Sequence, residues 1–280
     1  GLVLDLRDNP GGSLDAAVET AGLFLPEGKT VVSVQGRAIP ARAYRTAGAS
    51  RYGRLPLVIL LNARAASAAE IIAAALQEHD RAWLVGEGSF GKGVVESVLP
   101  LSEGAALVLT IARYLTPLGR SVQKPLPGTA LAAILEQGPL EFVTEKGRHL
   151  REAGGVLPDQ IAEPWQLEEW TAWLQQSTAF VNFAEAYVER HGTVAPGFQA
   201  DEGVLNEFGR FLQQSGFSVP EQQWQEALPF LKMKIETEIL NLVFGIAKGD
   251  EAEVRADPQV QAAAAAIQKA EDLLTRAENP

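Results

Sequence analysis

The chain has 280 residues, 46% of them hydrophobic and 21% charged, with no cysteine and a formal net charge of −11. That composition supports one substantial core and a second, smaller one, and the missing cysteines exclude a disulfide framework, a thiolate nucleophile and a cysteine-type zinc site. The acidic balance argues against a nucleic-acid backbone as partner, and no apolar run reaches the roughly 18 residues that span a bilayer.

Leu2 to Leu6 reads as a near-continuous buried strand. Because the sequence opens inside it, without a basic-then-apolar leader, the chain is expected to be a fragment or processed product. Asn9-Pro10-Gly11-Gly12 breaks the strand, Ser13 is a good N-cap, and Leu14, Ala17, Val18, Ala21, Phe24 and Leu25 share one helical face. The pattern then recurs. Leu55 to Leu61 is a β-rich run, Asn62 to Ala66 a small-residue turn, and Ser67 to Gln77 an alanine-rich helix. Ala82 to Val85 resumes a strand, Gly86 to Gly93 is a glycine-rich turn, and Val94 to Leu99 and Ala105 to Tyr114 read as further strands. Strands alternating with helices predict an α/β core of βαβ units with a largely parallel sheet.

From Pro164 onward the periodicity is helical, with further helices expected at about 201–214, 220–247 and 257–277, the second kinked or split by Pro229. The charge divides at the same place. Residues 1–165 hold 16 Lys and Arg against 17 Asp and Glu, whereas residues 166–280 hold 8 against 18. The expected domains are therefore a core over 1–165 and an acidic all-α region over 166–280. The aromatic stripes of that region (Trp165, Trp170, Trp173, Phe180, Phe183) read as core, and it offers a surface for homo-oligomerisation.

The histidines, His79, His149 and His191, stand in no triad-like or metal-ligating spacing. Ser67 differs, because it stands where a strand turns into a helix and small neighbours (Ala65, Ala66, Ala68, Ala69) leave room for a substrate backbone. A helix N-terminus also offers unpaired N–H groups where an oxyanion would form. By its own local sequence Ser67 reads first as an N-cap, since caps far outnumber nucleophiles. A serine without histidine needs another base, commonly a lysine. Of the four lysines in the first part, Lys29, Lys124 and Lys146 lie in polar loop-like sequence, whereas Lys92 is held in Gly88-Ser89-Phe90-Gly91-Lys92-Gly93 between two strands. A strand, not a helix, follows it, which excludes a Walker loop.

Leu4-Asp5-Leu6-Arg7-Asp8-Asn9-Pro10-Gly11-Gly12, Asn62 through Glu70, and Ser89-Phe90-Gly91-Lys92-Gly93 occur here in order. Thr116-Pro117-Leu118-Gly119-Arg120 and Gly154-Gly155-Val156-Leu157-Pro158-Asp159 follow. Together these blocks resemble the C-terminal processing (tail-specific) peptidases. The resemblance implies a crotonase-like (ClpP-like) α/β core, Ser67 as nucleophile, Lys92 as general base, and an oxyanion hole from the backbone N–H of Ala68 and of Gly11 or Gly12. It also implies cleavage of proteins or peptides near apolar C-terminal sequences, no cofactor, no metal, and an exported location. A PDZ domain, expected upstream, is not among these residues. The competing class is a non-catalytic ligand or scaffold module on the same fold.

Two departures stand out. Ala65 and Ala69 replace flanking serines, and Glu96 stands where the family generally has a glutamine. Strand alternation places Lys92, Val94 and Glu96 on one face, so a carboxylate beside the ammonium would oppose a neutral base. Glu96 is therefore expected to bind elsewhere, to be protonated itself, or to mark a slow enzyme with an alkaline optimum. Glu78, where the family often has an aspartate, reads as structural.

Overall fold

The computed structural model describes residues 1–37, 39–125, 128, 140–152, 154–217 and 219–275. The chain forms two compact units, one of residues 1–162 together with the stretch from Ala262 onward, the other of Glu163–Gln261.

Among the described residues the first unit holds ten strands and two early helices: β1 (Leu2–Asp5), α1 (Leu14–Gly22), β2 (Thr30–Gln35), β3 (Arg42–Arg45), β4 (Leu57–Leu61), α2 (Ala68–Glu78), β5 (Trp83–Gly86), β6 (Val94–Pro100), β7 (Ala106–Leu115), β8 (Glu141–Val143), β9 (His149–Arg151) and β10 (Gln160–Ile161). Four strands make a parallel sheet in the order β1-β4-β5-β10. Its centre is β4, whose sequence Leu-Val-Ile-Leu-Leu is buried at every position. Such an unbroken apolar run is what a parallel strand covered on both faces requires. In contrast, β1 lies at the sheet edge and leaves Leu2 exposed. An apolar run alone does not tell a central strand from an edge one.

The second sheet is antiparallel, in the order β3-β2-β7-β6. It overturns the expectation of a largely parallel fold. Residues 94–115 fold as a hairpin because the connection between β6 and β7 is one short turn around Ser102–Gly104, and a parallel pair needs a crossover of a dozen residues or more. The two sheets and α2 enclose a core of Leu57, Ile59, Leu61, Ile71, Ala73 and Leu76, with Phe24, Leu25 and Val31. Helix α2 is buried on every side, and its alanines let both neighbours come close.

The second unit is helical: α3 (Glu169–Gln176), α4 (Ala179–His191), α5 (Glu202–Gln214), α6 (Glu221–Phe244) and α7 (Ile246–Ala256), followed by α8 (Pro258–Ala265), within which the chain leaves the unit, and α9 (Ile267–Thr275), which belongs to the first. Pro229 does not split α6, which stays one element of 24 residues. The helix expected over 257–277 is instead two, interrupted at Ala266, and its last two positions lie outside the described residues. The aromatic stripe is core: Phe180 and Phe183 are buried and pack on Phe208 at 5.1 and 5.0 Å between ring centroids. Trp173 is the exception, exposed but stacked on Phe217.

Candidate active site

Three segments meet at the carboxyl ends of the parallel strands: residues 8–12 after β1, 62–67 after β4 and 87–93 after β5. Open α/β sheets gather their sites at these ends. Backbone bonds hold the segments together, Ala66 N–H donating to Asn9 O (2.9 Å) and Phe90 N–H to Ala65 O (2.9 Å). At the rim, Asn62 accepts from the Asp8 and Arg64 amides and donates to Asp8 Oδ1 at 2.8 Å, while Arg64 Nε meets the same oxygen at 2.5 Å. The Asn62 hydrogen bond, with the Arg64 guanidinium behind it, holds the Asp8 carboxyl below its ordinary range.

Ser67 occupies the elbow between β4 and α2 with φ 56° and ψ −115°. For a side chain bearing a Cβ this backbone is strained, and strain of this kind marks strand-to-helix turns that present a hydroxyl. Gly11 lies directly against the elbow. Its φ is +99°, and a Cβ there would come within 2.8 Å of Ser67 Cβ and 2.9 Å of Ala68 N, so only glycine fits. The Gly11 amide donates to Asn9 Oδ1 at 2.9 Å. Among the described residues the Gly12 and Ala68 amides have no such partner.

The organising group is Glu70, which the sequence reading passed over. It is fully buried, and its carboxyl accepts four hydrogen bonds. Oε1 takes Ser89 Oγ–H at 2.5 Å and Gly91 N–H at 2.7 Å; Oε2 takes Ser67 N–H and Lys92 N–H, both at 2.8 Å. Four donors offset the cost of burying such a group. Because one oxygen binds both amides, the backbones of Ser67 and Lys92 lie within twice that bond length of each other. Ser67-x-x-Glu70 has capping-box spacing, the signal from which the contact could have been foreseen. Gly91, at φ +90°, lets the lysine loop pass Lys124, whose Cβ would stand 2.8 Å from an added methyl.

The structure thus brings together Ser67, Ala68, Gly11, Gly12 and the Lys92 backbone. It does not join the two side chains: among the described residues no hydrogen bond links Ser67 Oγ to Lys92 Nζ. Lys92 Nζ pairs with Glu96 Oε2 at 3.0 Å, both side chains about two-fifths exposed. Glu96 therefore does not bind elsewhere. A β-bulge between Val95 and Glu96 interrupts the strict alternation expected there, yet the pair still forms.

Glu78 lies apart, fully buried, accepting from Arg120 Nε (2.9 Å) and Leu118 N–H (2.8 Å). Arg120 in turn donates to Arg151 O at 3.1 Å. This pair anchors the Thr116 to Arg120 turn. The histidines are remote from Ser67 in their bonding: His79 contacts Thr30 O, His191 contacts Glu207, and His149 lies on β9. Among the described residues no group of three or more His, Asp or Glu is gathered as a metal would need.

A strained serine elbow on a parallel sheet, with a lysine loop bound to it through one buried carboxyl, is what this α/β unit places at its strand ends. Residues 1–130 match the sequence profile described as peptidase family S41. The carboxyl-terminal-processing protease of Synechocystis sp. is 45% identical over 124 residues, covering 44% of this chain and 29% of that protein. The chloroplastic carboxyl-terminal-processing peptidase 1 of Arabidopsis thaliana is 45% identical over 116 residues, 41% of this chain and 24% of that protein. A solved photosystem II D1 C-terminal processing protease matches with TM-score 0.44 at 32% identity, covering 57% of this chain and 34% of that one. The match thus spans less than a third of the length of these curated relatives.

Proposed function

We propose that the first unit is a serine endopeptidase in which Ser67 attacks the scissile carbonyl, Lys92 takes and returns the proton, and an acyl-enzyme is then hydrolysed. The observation that carries this reading is the shared Glu70 oxygen, which holds the Ser67 and Lys92 backbones side by side. Ala68 and Gly12 supply the oxyanion donors, their amides being uncommitted, while the Gly11 amide is engaged by Asn9 and its missing Cβ makes the room. The core is of the crotonase-like kind, its substrates are proteins or peptides with apolar C-terminal sequences, and it works in an exported location. The acidic helical unit is a candidate surface for self-association.

In this reading the Lys92–Glu96 pair is a resting arrangement, because a charged, paired ammonium is no base. The side chain must leave Glu96 to reach Ser67. The same pair is what favours the second reading, a catalytically impaired ligand or scaffold module. Digestion of an apolar-tailed peptide by the parent chain and by Ser67→Ala separates the two. The peptidase reading expects cleavage by the parent only. Equal products from both, or none from either, would remove it.

A further inference from the structure

Residues 97–112 carry a single charge, Glu103, in a chain whose net charge is −11. They make up most of the β6–β7 hairpin, whose two faces differ. On one face Val98 stands opposite Val108. On the other Leu99 stands opposite Leu107, and alternation puts Leu109 there as well. The ladder continues past the end of β6, where Leu101 N–H donates to Ala105 O at 2.8 Å, so Leu101 joins the same face. Four leucines thus share one side of a two-stranded ribbon. Leu101 is 55% exposed and the other three 43% each, and none of them joins the core of the first unit. Val98 and Val108 are exposed on the opposite side. A ribbon open on both faces is marginal by itself, and a monomeric protein rarely leaves so many neighbouring aliphatic side chains in water.

We infer that this leucine face is an interface between two copies of the chain, which pack ribbon on ribbon about a two-fold axis. Leu99, Leu101, Leu107 and Leu109 of each copy cover those of the other. The inference goes beyond the peptidase reading and does not rest on it. Charge favours a second copy as the occupant. Acidic chains repel one another wherever carboxylates meet, and these sixteen residues bring one carboxylate per copy to the contact. Symmetry favours it too, because a two-fold axis sets like on like and an aliphatic face is complementary to itself. Area sets the strength. At these exposures the face offers about 400–500 Å² per copy and roughly 800–1,000 Å² in all, the range of weak, reversible association. The expected dimer therefore has a Kd on the order of micromolar.

The two faces of one ribbon supply the test. Sedimentation velocity of the full chain over about 1–100 µM should show the weight-average coefficient rising from monomer towards dimer. Leu107→Asp should move the midpoint to at least about tenfold higher concentration, while Val98→Asp, on the opposite face, leaves it within about twofold. A second measurement does not depend on how the aspartates affect the hairpin. The chain has no cysteine, so Leu99→Cys, Leu107→Cys and Val98→Cys can each be treated with a short bismaleimide. Covalent dimer is expected from the two leucine positions and not from Val98. A parent that stays monomeric leaves the face to another occupant and overturns the inference. Equal cross-linking from both faces, or a dimer that Leu107→Asp leaves intact, overturns it as well.

Discussion

Replacing Glu70 by glutamine keeps its volume and exchanges one acceptor oxygen for an NH2 group that must face two of the four donors now bound. Buried donors left unsatisfied cost about 1–3 kcal/mol each. Glu70→Gln is therefore expected to lower stability by roughly 2–4 kcal/mol in urea titrations, and, on the peptidase reading, to lower kcat more than stability loss explains, because the Ser67 and Lys92 backbones are no longer held to one atom. Glu96→Gln should act in the opposite sense on rate. It removes the anion that holds the Lys92 ammonium, so on the peptidase reading kcat for the apolar-tailed peptide should rise; an unchanged kcat would show that the pair does not restrain the lysine. At the rim, Asp8 has a lowered pKa, so its contribution is present at neutral pH and is lost as pH falls through the folded-state value, below the ordinary value of about 3.9. Asp8→Asn should cost under about 1 kcal/mol at pH 7, since both side chains of the pair are more than half exposed, and the difference from the parent should close in strong acid.

The strand–elbow–helix element from β4 to α2 stores strain at a single residue. Ser67 at φ 56° pays for its Cβ, so Ser67→Gly should be more stable than Ser67→Ala by about 1 kcal/mol, although neither has a nucleophile. Equal stability would mean that the elbow relaxes when the hydroxyl is lost. This element was legible in the sequence because an unbroken apolar run, a small-residue turn and an alanine-rich helix each obey a local rule. The antiparallel β6–β7 pair was seen as two strands but not as a hairpin, since its turn carries Glu103 at φ 60° rather than a familiar Asn-Gly pair. Strands β2 and β3 went unread, and so did Glu70, whose four partners come from two separate segments, Ser67 and residues 89–92. A capping-box glutamate looks local, and nothing in its spacing reports that it also binds residues 89–92.

Across the whole molecule, the division near residue 165 was visible as a change of charge, but the return of the chain to the first unit was not. Helix α9 buries Ala270 and Leu273 there, its Lys269 meets Gln160 at 2.9 Å and lies 5.2 Å from the Trp83 ring centroid, and Lys146 Nζ binds Leu273 O. Its short apolar stripe reads as one more helix of an acidic region, and sequence periodicity does not say which core a stripe joins. Deleting residues from Ala262 onward should therefore destabilise the first unit by about 2–4 kcal/mol, read by hydrogen exchange at the β4 and β5 amides. Breaking the buried Glu78–Arg120 pair with Arg120→Met should cost about 3–5 kcal/mol in that same unit, because it strands a carboxylate without its partner. The most direct measurement of the central claim is rapid-quench intact-mass analysis of the chain mixed with an activated ester of an apolar peptide. The account predicts a transient adduct of the acyl mass that maps to Ser67 and is absent from Ser67→Ala and Lys92→Ala. An adduct on another residue, or turnover that persists in Ser67→Ala, would contradict it.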